Sequence, residues 1–141
     1  MKQKSLRRTL IAAMLTLATT AAVYGQNALT TKIPFAFRAA GSDFPAGHYK
    51  VGMVTENSRA IELQNIDTQK SVFIQYKAPL TDDKNKDVRP RLIFKCGGEE
   101  GCSLARLWEG SGNGLEFPTP KLTANQRERR ETVYLERFRE K

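Results

Sequence analysis

The chain contains a single histidine, His48, and two cysteines, Cys96 and Cys102, in 141 residues. A metal centre built on these falls two ligands short when it uses both thiols, and His48 is the one imidazole available to it. A Ser-His-acid triad would need a serine on a tight G-x-S-x-G elbow. The nearest segment, Gly110-Ser111-Gly112-Asn113-Gly114, has the wrong order and no strand-to-helix setting. It also fails as a phosphate loop, because no Lys-Ser/Thr pair follows it. No other stretch carries a cofactor signature, so no cofactor and no catalytic residue are expected. His48 itself follows a turn glycine at the start of a strand-like run, where a polar side chain needs no special role.

The first 25 residues lack any acid. Lys2, Lys4, Arg7 and Arg8 make a basic start, and residues 9–23 hold no charge. Small residues Val23 and Gly25 then stand at −3 and −1 for a peptidase. This is the layout of a cleavable leader, so residues 1–25 are read as a signal peptide and Gln26 as the new N-terminus. Ala22 is the second choice for the cut. The apolar run, about 15 residues, is shorter than the roughly 20 a membrane-spanning helix needs. No transmembrane span is expected after cleavage. No cysteine sits near the cut, which argues against a lipid-anchored protein. The Arg7-Arg8 pair resembles a twin-arginine export signal, although such pairs also arise by chance in basic leaders.

Losing the leader changes the charge. The full chain has 23 Lys+Arg, 15 Asp+Glu and a net charge of +8; four of the basic residues and none of the acids lie in 1–25, leaving +4. Residues 121–141 hold seven basic and four acidic residues, so residues 26–120 are nearly neutral. The body therefore has no bias that demands a polyanion. Two further parts are read from this: a β-rich domain at 26–120 and a basic, charged C-terminal extension at 121–141.

Strand-like runs separated by turn signals fill the domain. Ile33, Phe35 and Phe37 alternate over 32–38, with Pro34 marking an edge or a strand start. Phe44-Pro45-Ala46-Gly47 fits a type I turn. Tyr49, Val51 and Met53 share a face of a strand at 48–54, and Ile61 and Leu63 point inward from 60–63. Val72-Phe73-Ile74 within 71–76 reads as a strand buried on both faces. Residues 81–87 read as a solvated loop. A fifth strand covers 91–95. A sixth, 103–108, has Leu104, Arg106 and Trp108 on one face and Ala105 and Leu107 on the other. Residues 110–120, rich in glycine and proline, read as a loop.

Thr123-Ala124-Asn125-Gln126 fits a capping box, so a short helix is expected to start there. Residues 132–138 suit a helix (Tyr134 and Phe138 four apart) or a strand (Val133 and Leu135 alternating). The pattern predicts an all-β fold, a small antiparallel sandwich or barrel-like domain with a short C-terminal helix or tail; the alternative is α+β with that helix on the sheet.

Three segments resemble a known family. Ile33-Pro34-Phe35-Ala36-Phe37, Phe44-Pro45-Ala46-Gly47-His48-Tyr49-Lys50-Val51, and Leu92-Ile93-Phe94 leading to Leu104-Ala105-Arg106-Leu107-Trp108 occur in this order. The order resembles small exported proteins of unknown function, of acidobacterial type, which continue into a "GxEhP" close (h, hydrophobic) matched here by Gly114-Leu115-Glu116-Phe117-Pro118. The resemblance covers most of the chain after the leader. It implies export and the fold, and it brings no catalytic residue. Cys96 and Cys102 depart from its pattern.

Cys96 and Cys102 flank a five-residue glycine-rich turn between two strands, which suits a disulfide. An oxidising compartment favours that state, and redox pairs favour two intervening residues instead of five. Asp83, Asn85 and Asp87 alternate as in a calcium loop, but Val88 and Phe94 replace its glycine and glutamate, and Lys84 and Lys86 oppose a cation. Glu109 and Glu116 are a conceivable acid–base pair. Tyr49, Phe73, Tyr76 and Trp108 suit a core more than a sugar-stacking platform. Arg127, Arg129 and Arg130 are the expected contact for an anionic partner. The resulting reading is an exported, periplasmic or extracellular, non-catalytic binding or structural module. Its partner is an anionic envelope polymer or another protein; nucleic acid is not expected. The alternatives are a hydrolase-like enzyme on envelope or plant polymers and a barrel-type carrier with an apolar cavity lined by Phe35, Phe37, Phe73 or Trp108. Intact-mass analysis of the protein recovered from an exporting host is expected to give a chain starting at Gln26; a product retaining Met1 would rule out the leader.

Overall fold

A computed structural model describes residues 28–54, 57–81, 86–99, 101–110, 112–123 and 125–138. The leader, its cleavage site, and Asp83 and Asn85 lie outside the described residues. The chain forms β1 (Leu29–Ile33), β2 (Phe37–Ala39), β3 (Ser42–Phe44), β4 (Gly47–Met53), β5 (Ala60–Asn65) and β6 (Lys70–Gln75). It continues as β7 (Ala78–Thr81), β8 (Arg91–Cys96), β9 (Cys102–Gly110), β10 (Asn113–Glu116), β11 (Arg129–Tyr134) and β12 (Glu136–Arg137). The fold is all-β, with no helix among the described residues.

Five strands make the first sheet, in the order β12-β1-β4-β5-β6, all antiparallel. The second sheet runs β11-β8-β9-β10-β7, with β2 pairing both β3 and β9. One hydrophobic core takes residues from both sheets: Tyr49, Ile61 and Ile74 from the first, and Phe94, Leu104 and Leu107 from the second.

The two sheets are joined by a bent ribbon. β1 pairs with β4, and β2 with β3, so Ile33 faces Gly47 and Phe37 faces Phe44. Residues 34–36 therefore stand against only 45–46. The extra residue bends the ribbon at this point, as a β-bulge does. Pro34, which cannot donate to a ladder, ends β1. The single strand expected at 32–38 is thus two strands in two sheets. Phe44-Pro45-Ala46-Gly47 is the facing side of that corner and not a hairpin turn. The hairpin lies further on, at Ala40 and Gly41, both with positive φ (48° and 83°) as a two-residue turn requires.

Tyr49 holds the corner. Its ring is fully buried and meets Phe37 edge-on at 5.3 Å. Its hydroxyl donates to the Pro45 carbonyl at 2.5 Å and accepts from Asn65 Nδ2 at 3.3 Å. Burial pushes the Tyr49 pKa up, so the hydroxyl stays a donor. Asn65 Oδ1 in turn accepts the Asp67 and Thr68 N–H groups at 2.9 and 3.1 Å, which shapes the turn after β5.

β9 changes neighbours along its length. Its start pairs in parallel with β2 (Phe37 to Cys102, Arg38 to Ser103), a departure from the expected all-antiparallel pairing. Its end pairs with β10 (Leu107 to Leu115). Between the two halves Ala105 is an extra residue against β8, where Phe94 pairs with Leu104 and Ile93 with Arg106. The Ala105 carbonyl accepts the Phe117 N–H at 2.9 Å. The bulge shifts the alternation, so Leu104 and Leu107 both point into the core and Arg106 and Trp108 take the other face, where Trp108 stays buried beneath Arg91 and against Gly114. The expected grouping of Leu104 with Arg106 and Trp108 fails for this reason.

Residues 110–120, expected as a loop, contain β10, where Gly114 lies under the Trp108 ring. A Cβ at Gly114 would stand 2.6 Å from Trp108 Cε3. The expected C-terminal helix is absent among the described residues. Gln126 Oε1 does accept the Thr123 N–H at 3.0 Å, half of a capping box, but the chain then extends into β11, antiparallel to β8. Leu135 is buried, and β12 crosses to pair with β1.

Replacing Tyr49 by Phe would leave the buried Asn65 amide without its acceptor. Chemical denaturation of Tyr49→Phe is expected to show a loss of about 1–2 kcal/mol, with the native spectrum retained; an unchanged midpoint would show that the corner does not depend on the hydroxyl.

Candidate functional site

The outward face of the second sheet gathers basic side chains that are far apart in sequence. Successive residues of a strand point to opposite faces, so register decides which side chains share one. Arg130 lies opposite Lys95, Lys95 opposite Ser103, and Ser103 opposite Arg38. These four form a row across β11, β8, β9 and β2, roughly 14 Å wide at about 4.8 Å per strand. In the next row Thr132, Ile93, Arg106 and Glu116 stand side by side, and in the third Tyr134, Arg91, Trp108 and Gly114.

Some of this charge is compensated. Arg38 Nε lies 2.9 Å from Asp43 Oδ1, and Arg130 Nε lies 3.3 Å from Glu128 Oε1. Arg91 is almost fully buried, sits over the Trp108 ring at 5.6 Å, and donates to the Asp87 carbonyl at 3.1 Å. Among the described residues neither Lys95 nor Arg106 forms an ion pair within 4.0 Å, although Glu116 stands across from Arg106.

A cleft of about 580 Å³ opens on this face, between the β8–β9 hairpin and the crossing segment that leads to β11. Lys95, Lys121, Ser103, Thr123, Gln126 and Glu128 line it. The hairpin turn is shaped for that crossing. A Cβ on Gly97 (φ +154°) would lie 2.6 Å from the Arg127 carbonyl oxygen, and one on Gly98 (φ +70°) would meet the Gln126 side-chain amide. Cys96 and Cys102 close the hairpin as a disulfide, directly paired, with Cα atoms 3.9 Å apart. Such a short loop contributes no more than about 2–3 kcal/mol by chain entropy. The cross-link is compatible with an oxidising compartment.

The three arginines expected to contact an anion are separated by the strand. Arg130 joins the basic row. Arg129 pairs opposite Cys96 on the other side of the ribbon and reaches Glu131 Oε1 at 2.9 Å. Arg127 is exposed in the crossing segment, its backbone against Gly97. No sequence motif sets Lys95, Arg106, Arg38 or Lys121 apart. Lys95 and Arg106 sit in apolar runs that read as core strands, and only the bulge at Ala105 turns Arg106 outward.

A second, wider cleft of about 920 Å³ lies over the first sheet and holds His48, Asp67, Lys32, Thr31 and Tyr134. Asp67 Oδ2 accepts the His48 N–H at 3.1 Å, and His48 Nδ1 lies 3.3 Å from Asp67 Oδ1. These bonds and the nearby charge of Lys32 hold the Asp67 carboxyl below its usual pKa, so it serves poorly as a proton donor. The Thr31 hydroxyl is engaged, donating to the Tyr134 carbonyl at 2.8 Å. Glu109, exposed, is the unpaired extra residue between Trp108 and Gly110, and Glu116 pairs further along β9 with Arg106. The aromatic candidates scatter as well. Phe35 and Phe37 pack on Phe94 at 5.0 and 5.3 Å, Trp108 covers Gly114, and Phe73 is 65% exposed on the other sheet. Phe73 thus contradicts the expected burial of both faces of its strand.

Asp87, the described member of the calcium-like trio, is occupied. Its two oxygens take Arg89 Nε and Nη2 at 3.1 Å each, and Oδ2 also accepts the Tyr134 hydroxyl at 3.1 Å. The Arg89 guanidinium lies 3.9 Å from the Tyr134 ring centre. Set against protein-family models, curated proteins and solved structures, the chain matches none.

The Arg89 bonds hold the Asp87 carboxyl far below the usual aspartate value. A depressed folded pKa gives stability above the unfolded value and loses it as pH falls through the folded one. The melting temperature is therefore expected to fall as pH drops below 3.8, the ordinary value for aspartate. In Asp87→Asn that acid-side fall should be shallower and neutral-pH stability lower. Parallel curves for the two proteins would show that the knot does not couple to folding.

Proposed function

We propose that this protein is an exported, non-catalytic binding module of the cell envelope or exterior, and that it holds an anionic polymer in the cleft beside the disulfide hairpin. One observation carries the reading. Lys95 lines that cleft together with Lys121, has no carboxylate partner among the described residues, and stands in a row with Arg130 and Arg38. Spaced cations across strands suit a chain of repeating negative charge, such as an acidic polysaccharide or a polyol phosphate. Ser103, Thr123 and Gln126 supply hydrogen-bonding groups for the units between the charges. The positive excess is modest, because Glu128 and Glu116 dilute it, so affinity rests on many weak contacts and falls with salt.

The hydrolase alternative has less support. The carboxylate beside His48 is held ionised, which suits it poorly to the role of the acid. A carrier would need a shared apolar chamber, but Phe35 and Phe37 pack directly on Phe94, Phe73 is exposed on the other sheet and Trp108 lies on Gly114.

Fluorescence anisotropy with a labelled acidic polysaccharide, at several salt concentrations, tests the proposal. Lys95→Glu and Lys121→Glu are each expected to weaken binding about tenfold, a change of about 1.4 kcal/mol. Lys70→Glu, on the other sheet, should leave it unchanged. Equal binding of a neutral polysaccharide, or equal loss in all three variants, would overturn the reading.

A further inference from the structure

The edge of the first sheet carries an inference independent of the basic cleft. Among the described residues β6 pairs on one side only, with β5. An unpaired strand edge is a template for another strand, and proteins guard it with charge, proline or shortness. Each other edge here has such a guard. β7 contains Pro79, β3 is three residues with Asp43, β11 carries Arg129, Arg130 and Glu131, and β12 is the dipeptide Glu136-Arg137. β6, by contrast, reads Lys70-Ser71-Val72-Phe73-Ile74-Gln75, with its one charge at the first position. Phe73 at its centre is 65% exposed.

The hydrogen-bond phase of β6 is fixed. The Tyr76 N–H donates to the Arg59 carbonyl at 3.0 Å, in register with the pairing of Ala60 to Gln75. In an antiparallel ladder the bonded pairs alternate. Residues 72, 74 and 76 therefore bond inward to β5, and Ser71, Phe73 and Gln75 turn their N–H and C=O groups to the open side.

We propose that β6 is a self-pairing edge, and that two copies of this chain join antiparallel through it about a two-fold axis at Phe73. In that register Phe73 of one copy bonds Phe73 of the other, and Ser71 bonds Gln75, so all three outward residues find partners. Val72 lies opposite Ile74 on the core side and extends the apolar layer across the seam. Lys70 lies opposite Tyr76, and the two lysines stand at opposite ends of the seam, out of reach of mutual repulsion. The contact is isologous and closes at two copies. Seven residues a side is small against the roughly 20–30 of a standard interface, so the dimer is weak and depends on concentration.

Sedimentation analysis of the exported, oxidised protein over a concentration series tests this. The mass is expected to double as concentration rises. Phe73→Lys sets two like charges face to face and should stay monomeric with an unchanged melting temperature, since the side chain is exposed. Under mild oxidation Phe73→Cys should give a covalent dimer, and Ser71→Cys, which faces Gln75, should not. A wild-type monomer up to the solubility limit would overturn the proposal, as would a doubled mass that survives Phe73→Lys, or equal cross-linking by the two cysteine variants. A monomer that instead takes a foreign extended peptide along β6 would overturn it too.

Discussion

The Tyr49 hydroxyl sits between the Pro45 carbonyl, to which it donates, and the Asn65 amide, from which it accepts. Those two bonds tie the bent ribbon to the turn after β5. The ribbon belongs to both sheets, so the same tie sets how the sheets face each other. The buried rings of Phe37, Phe44 and Tyr49 then fill the corner, with centroids 5.1–6.3 Å apart. A Cβ on Gly47 would come within 3.1 Å of Asp67 Oδ2, so this position packs close against the same turn. The Pro-Ala-Gly-His-Tyr segment is thus a structural device. Each of its chemically suggestive members, His48 included, is accounted for by holding the corner or the neighbouring turn.

A second constraint, the bulge at Ala105, organises the opposite sheet. It lets β9 exchange one neighbour for another, and it decides which of its side chains face solvent. Arg106 joins the basic face because of that shift. With regular alternation, residues 104 and 106 would share a face, and Arg106 would point into the core. The glycines of the disulfide hairpin do comparable work for the cleft, since side chains there would collide with the segment that brings Lys121 and Gln126 over Lys95.

Alternation made much of the fold legible from sequence. Ile61 and Leu63, and Tyr49 and Val51, are buried as their spacing implies, while Met53, next in the second series, is exposed at the strand end. The cysteine pair was legible because a glycine-rich turn between strands leaves directly opposed positions close together. What escaped was set by tertiary pairing. Val72-Phe73-Ile74 reads as a central strand, yet β6 is an edge; no local signal reports how many neighbours a strand has. Residues 127–131 read as charge with no apolar face and 132–138 as either helix or strand; pairing with the backbone of β8 makes Arg129–Tyr134 a strand. β7 and β10 are four residues each, too short to establish a period. The candidate cleft was hidden for the same reason, since its cations come from strands that meet only through register.

The pairing of Leu29 with Arg137 brings the first and last described strands side by side. β1 lies far ahead of β12 in the chain, so one flank of β1 stays open until β12 reaches it. Closure is consequently a late event, governed by contacts of very long sequence separation, which slow a folding reaction. The molecule must remain unaggregated through that interval with an incomplete sheet. A chain cut short before β11 would carry the open flank permanently, along with a bare β8, so loss of the carboxyl end costs the domain its closure as well as its charge.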